Sequence, residues 1–85
     1  MKRQAKQIGD RNWVGQNIAR LRKAQRPKMS QRALADELQR GGLDLDKNAI
    51  QLIECGRRCV RDKELFLIAR ALHVEPGALF EGVEA

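Results

Sequence analysis

Residues 29–56, MSQRALADELQRGGLDLDKNAIQLIECG, read as two short capped helices joined by a loop. Ser30 and Asp46 each stand just before an apolar helical pattern, where a side-chain oxygen can accept hydrogen bonds from the free amides of the first turn. In the second segment Ile50 and Ile53 lie one turn apart, so they can point inward while polar side chains project to the opposite side. This pattern predicts a helix with one core face and one face suited to hydrogen-bonding base edges.

The rest of the chain predicts more helices and no strand, because β-branched residues never alternate over a strand's length. Asn12 is a candidate N-cap for a first helix that Pro27 stops, Asp62 is a candidate cap for a fourth helix, and Pro76 suits the first turn of a fifth. The predicted fold class is therefore all-α, a compact five-helix bundle.

A chain of 85 residues, 42% of them hydrophobic, fits one small domain. We assign this domain to residues 12–81, a basic flexible arm to 1–11 and a C-terminal tail to 82–85. The arm either embraces a partner or is simply disordered. Because the chain has neither an eighteen-residue apolar run nor a secretory-signal pattern, we expect a cytoplasmic protein that does not span a membrane.

Positive charge is concentrated near the amino terminus. The net charge is +6, and residues 1–32 carry ten Lys or Arg against Asp10 alone, whereas residues 33–74 are balanced and residues 75–85 carry three Glu. Such clustering favours a polyanionic partner, although a solvated basic surface would also explain it. The pair of capped helices favours the nucleic-acid interpretation.

Three segments resemble a known family: SQRALADEL at 30–38, NAIQLIECGRR at 48–58 and ELFLIARALHVEPGALF at 64–80. In this order they are similar to the helix-turn-helix domain of phage-repressor-like (lambda-repressor-like), xenobiotic-response-element-type bacterial transcription regulators. The resemblance implies a helix-turn-helix at helices 2 and 3, with a recognition helix over about residues 46–55. We therefore expect a regulator, of the repressor type, that binds double-stranded DNA. Because one short helix reads too few bases and paired half-sites multiply specificity, we expect a homodimer on an inverted repeat.

The resemblance also implies roles for individual residues. Those expected to read bases are Lys47, Asn48, Gln51 and Leu52. Those expected to bind phosphate are Gln31, Arg57, Arg58 and Arg61. Arg22 and Glu54 match an ion pair between helices 1 and 3. The alternatives are a solvated helix face for the polar base-reading residues, a core position for Leu52 against the preceding loop, and two separately solvated side chains for the ion pair.

One segment departs from the family pattern. The connection QRGGLDLD at 39–46 is several residues longer than the usual tight turn and contains Leu43 and Leu45. Either helix 2 gains an extra turn, or a loop is anchored by the two leucines.

The sequence offers no catalytic set, no ligand-sensing domain and no cofactor or metal site. Cys55 and Cys59 with the single His73 cannot supply four zinc ligands, so we expect reduced thiols, with a regulatory disulfide as the alternative. We therefore expect a non-enzyme. The competing function is a protein-interaction module, such as an antitoxin or adaptor, whose DNA contact is incidental.

Overall fold

The computed structural model describes residues 9–82, and their side chains from residue 14 on. Within that part the chain forms four α-helices followed by a 3-10 helix, and no strand. Their bounds are Gly9–Lys23 (α1), Gln31–Arg40 (α2), Lys47–Glu54 (α3), Asp62–Ala71 (α4) and Pro76–Phe80 (the 3-10 helix). The predicted flexible arm and C-terminal tail lie largely outside the described residues.

The all-α class is as predicted, but residues 9–82 contain four α-helices and not five. The fifth predicted helix is a five-residue 3-10 helix, in which the amide of Ala78 donates to the carbonyl of Glu75 three residues earlier. Two predicted helix starts are also wrong. α1 begins at Gly9, so Asn12 lies inside the helix, and the N-cap of α4 is Arg61, which leaves Asp62 as the first helical residue.

Two of the predicted caps are confirmed. Ser30 Oγ accepts from the amide of Ala33 at 3.0 Å, and Asp46 Oδ1 accepts from the amide of Ala49 at 2.8 Å. These bonds are local, between a cap and the third helical residue, and so they follow from the sequence alone. They fix where α2 and α3 begin.

The core is built from aliphatic side chains. α3 packs against α1 and α2, α4 packs against α2, and the 3-10 helix packs against α1 and α4. The buried hydrophobic residues are Ile18, Leu34, Ala35, Leu38, Leu45, Ile50, Ile53, Ile68, Ala69, Leu72 and Leu79. Within the described residues, no helix is long and apolar enough to cross a membrane.

The connection between α2 and α3 is a leucine-anchored loop and not an extra helical turn. α2 ends at Arg40, and the backbone amide of Leu43 donates a hydrogen bond to the carbonyl of Leu38 at 2.8 Å. Leu45 is buried, and its carbonyl accepts from Gln39 Nε2 at 3.2 Å. Of the two arrangements that the sequence allowed, the anchored loop is the one observed.

Candidate nucleic-acid interface

The outward face of α3 is polar and open to solvent. Lys47, Asn48 and Gln51 are all exposed, while Ile50 and Ile53 on the other side are buried. A helix of this kind presents amide and ammonium groups on a rigid support, as contacts to base edges require. The structure therefore brings the three predicted polar residues together on one accessible surface.

Leu52 lies on this same exposed surface. Its side chain is 41% exposed, whereas the loop before α3 is anchored by Leu45. Leu52 was expected either on the exposed face or in the core against the preceding loop, and the structure places it on the exposed face. An accessible leucine next to polar side chains is suited to contact with a thymine methyl group.

A buried ion pair fixes the C-terminal end of α3 to α1. Arg22 Nε and Nη2 donate to the two carboxylate oxygens of Glu54 at 2.7 and 3.0 Å, and the two side chains are only 10% and 8% exposed. Arg22 Nη1 also donates to the carbonyl of Met29 at 3.0 Å. The bidentate geometry holds the outward face of α3 at a set angle to the rest of the domain.

Gln31, the first residue of α2, contacts the same carboxylate. Its Nε2 donates to Glu54 Oε1 at 2.9 Å, and its side chain is half-buried. An amide nitrogen has two hydrogens, so one is engaged by Glu54 and the second remains for another acceptor. The structure thus places the predicted phosphate contact beside the end of α3, with its orientation set by Glu54.

The three arginines after α3 have different surroundings. Arg57 and Arg61 are exposed, but Arg58 is half-buried and donates through Nη1 and Nη2 to the two oxygens of Glu64, each at 3.0 Å. This hydrogen-bonded pair lowers the pKa of the Glu64 carboxyl below its ordinary value and raises the pKa of Arg58. The free positive charge of this loop therefore lies mainly on Arg57 and Arg61.

Two further residues, which are not among the predicted site residues, shape this surface. Gly15 lies where α1 crosses α3, and a Cβ there would overlap the backbone carbonyl of Ile53. Glu64 accepts from the backbone amide of Arg61 at 3.0 Å as well as from Arg58. A glutamate at the third position of a helix is a visible capping signal, whereas nothing local marks Gly15.

The two cysteines stand at the edge of the interface as free thiols. Both are exposed, and Cys55 Sγ lies 3.5 Å from the carbonyl of Leu52. In the part of the chain that the structure describes, no three His, Cys, Asp or Glu residues are grouped as a metal site. The surface has the residue types of a polyanion-binding site.

A solved structure is similar to this fold. The restriction-modification controller protein C.AhdI from Aeromonas hydrophila superposes with a TM-score of 0.72 and 33% sequence identity, covering 86% of this chain and 96% of that one. No protein-family model matches the chain. No curated protein matches it either.

Proposed function

Because this chain belongs to the family of helix-turn-helix regulators that includes the restriction-modification controller protein C.AhdI, we propose that it is a sequence-specific, double-stranded DNA-binding transcription regulator. α3 enters the major groove. The observation that carries this proposal is the outward face of α3, on which four side chains are exposed while its inner side is fixed by buried isoleucines and the Arg22–Glu54 pair. The similarity to C.AhdI favours the genes of a restriction-modification system as the regulated genes.

Base reading falls to the exposed residues of α3. Lys47 donates to guanine, Asn48 and Gln51 pair with adenine through their amides, and Leu52 contacts a thymine methyl group. A well-placed bidentate contact contributes about 1–3 kcal/mol of discrimination against the wrong base. Substituting these residues should therefore change which sequence is preferred.

Phosphate binding falls to the residues at the two edges of α3. Gln31 offers its second amide hydrogen, and Arg57 and Arg61 offer exposed guanidinium groups. Arg58 shares its charge with Glu64, so its remaining N–H groups supply a weaker contact. These residues contribute affinity that falls with added salt, because each neutralised phosphate releases counterions.

The regulator acts as a two-fold dimer on an inverted repeat. α3 has eight residues and can reach only a few base pairs, so two half-sites are needed for a useful level of specificity. A dimer seated on a promoter would block transcription, which is the repressor mode implied by the resemblance. A promoter reporter that rises when the chain is supplied would overturn that mode.

Selection from random duplex DNA tests the proposal. We expect the wild-type chain to enrich an inverted repeat, and Asn48→Ala and Gln51→Ala each to relax the preference at defined base pairs by about 1–3 kcal/mol. Arg57→Ala should weaken binding to all sequences alike and reduce the salt dependence by about one phosphate. Arg40→Ala, which removes the same charge at the far end of α2, is the matched control and should change neither property.

A different outcome of this selection would reject the proposal. If no sequence is enriched and the association of the chain with DNA is insensitive to salt, DNA binding is incidental. The chain would then be a protein-interaction module such as an antitoxin or adaptor.

A further inference from the structure

Two cysteines lie close together in the sequence at the C-terminal end of α3. Cys55 is the C-cap of α3 and Cys59 lies in the connection to α4, and both are exposed as free thiols. The proposed DNA contacts use neither of them. Exposed thiols are the ones that small oxidants reach, and a second thiol nearby converts a first adduct into a disulfide.

The backbone after α3 turns back and brings the two cysteines to one carbonyl. Gly56 has a φ of +83°, which reverses the chain at the end of the helix. The amide of Arg58 then donates to the carbonyl of Leu52 at 3.2 Å. The Cys55 thiol donates to that same carbonyl at 3.5 Å. Because Cys59 directly follows Arg58, the turn holds the second cysteine near the first.

A bond between the cysteines would enclose two arginines. Arg57 and Arg58 stand between the cysteines, and residues 55–61 form neither helix nor strand that would resist closure. A disulfide needs α-carbons no more than about 7 Å apart, a separation that a reversed turn reaches and an extended segment exceeds. Closure removes the hydrogen that Cys55 donates to Leu52 and draws the enclosed residues into a tighter ring. The guanidinium of Arg57 is thereby displaced, whereas the base-reading side chains within α3 are not enclosed.

Positive charge surrounds the pair of thiols. Arg57 lies between the cysteines and Arg61 lies two residues after Cys59, and both arginines are exposed. Exposed cations attract anions to the surface and raise the rate of their encounter. A small oxidant that carries carboxylates therefore reaches these thiols faster than a neutral oxidant of the same kind.

We propose that Cys55 and Cys59 are a modification site for anionic low-molecular-weight disulfides of the glutathione type, and that the Cys55–Cys59 disulfide weakens DNA binding. One cysteine thiolate attacks the small disulfide, which forms a mixed disulfide and releases one small thiolate. The other cysteine thiolate then attacks the protein sulfur of the mixed disulfide, closes the ring and releases the second small thiolate. The two cysteine protons pass through water to the released thiolates. The protein thus loses two electrons, and the small disulfide gains them. The effect on DNA rests on the proposed function, whereas the covalent step does not.

Mass spectrometry of the full chain without DNA tests the covalent step. After treatment with glutathione disulfide, we expect a single chain that is lighter by two hydrogens and that regains its mass with a reductant. Cys55→Ser and Cys59→Ser should each stop at the glutathione adduct, because no second thiol remains to displace it. A wild-type chain that stays at the adduct, or that forms only a disulfide between two copies, would overturn the site.

The rate of oxidation tests the preference for an anionic reagent. Arg57→Ala should slow the reaction with glutathione disulfide about twofold or more at low salt, and should leave the reaction with neutral hydroxyethyl disulfide unchanged. Arg40→Ala, at the far end of α2, is the matched control and should change neither rate. Equal slowing with both reagents, or with neither, would overturn the preference for anionic disulfides.

Fluorescence anisotropy with labelled duplexes tests the effect on DNA. We expect the oxidised chain to bind a selected inverted repeat and a random-sequence duplex at least about fivefold more weakly, with a salt dependence reduced by about one phosphate per copy. The double variant Cys55→Ser/Cys59→Ser should bind equally with and without oxidant. Equal affinities of reduced and oxidised wild type would overturn this control of DNA binding. A reduced chain that binds no duplex would reject the proposed function and this control with it, while the mass measurement decides the thiol site separately.

Discussion

At its C-terminal end α3 is tied to two other helices, whereas at its N-terminal end it is tied mainly to the loop before it. Glu54 accepts from Arg22 of α1 and Gln31 of α2, and Gly15 lets α1 approach the backbone of Ile53 closely. The other end depends on the Asp46 cap and on Leu45 in the core. The first end therefore depends on tertiary charge pairing and close packing, and the second on one local hydrogen bond and one apolar side chain.

The largest effect should come from breaking the buried charge pair. Glu54→Ala leaves the Arg22 guanidinium buried without its partner, and we expect a loss of about 3–5 kcal/mol in the free energy of unfolding. Urea denaturation followed by circular dichroism measures this loss. Glu37→Ala, which breaks the exposed pair with Arg40, is the matched control and should cost under about 1 kcal/mol. Equal losses for the two variants would contradict the comparison.

The apolar anchor of the opposite end should come next. Leu45→Ala removes a buried side chain at the rim of the core, so we expect a loss of about 2–3 kcal/mol. Leu43→Ala, a substitution of the half-buried leucine in the same loop, should cost less in the same denaturation experiment. A larger cost for Leu43 than for Leu45 would show that the anchor has been misidentified.

Close helix packing at the C-terminal end can be tested with one methyl group. Gly15→Ala forces a Cβ against the Ile53 carbonyl, and we expect a loss of about 1–3 kcal/mol despite alanine's better helix propensity. Gly77→Ala is the control, because a Cβ there meets nothing within 4 Å. Thermal unfolding of both variants should show a lowered midpoint only for Gly15→Ala. A stabilised Gly15→Ala would refute the close approach.

Loss of the cap at the N-terminal end should have a smaller effect. Asp46→Ala removes the acceptor for the Ala49 amide, and we expect it to cost about 1 kcal/mol of unfolding free energy. Asp46→Asn retains an oxygen in the same place and should recover most of the loss. If the asparagine variant is as unstable as the alanine variant, the hydrogen bond is not the cause.

The smallest effect concerns the ion pair after α3 and depends on pH. Because Arg58 lowers the pKa of Glu64, the pair stabilises the fold above the ordinary glutamate pKa of 4.5. That contribution disappears as the pH falls through the lowered pKa of the folded state. Glu64→Gln should therefore lose less stability on acidification below pH 4.5 than the wild type, by about 1 kcal/mol or less. An equal loss in the wild type and in Glu64→Gln would show that this pair does not cause the pH dependence.

Sequence patterns predicted those parts of the fold that depend on nearby residues. The caps at Ser30 and Asp46 involve partners three positions away, and the spacing of Ile50 and Ile53 alone indicates one inward face. In the last segment only Leu79 is buried, and Phe80 beside it is 43% exposed. Two adjacent apolar residues give no signal as to which one turns inward.

The sequence predicted which residues of α3 are exposed, but it did not predict the contacts between helices that hold α3 in place. The exposure of Lys47, Asn48 and Gln51 follows from helical periodicity. The contact of Gln31 with Glu54, the engagement of Arg58 by Glu64 and the role of Gly15 depend on how separate helices pack, which periodicity does not encode.

The exposed side chains of α3 and the residues that hold the helix in place are different residues. Substitutions at exposed positions away from caps and buried pairs usually change stability by less than about 0.5 kcal/mol. Residues 48, 51 and 52 can therefore be substituted together, while Ile50, Ile53 and Glu54 are kept unchanged. Under the proposed function, new DNA targets would then be accessible by mutation without loss of the folded domain, which is an advantage for library design.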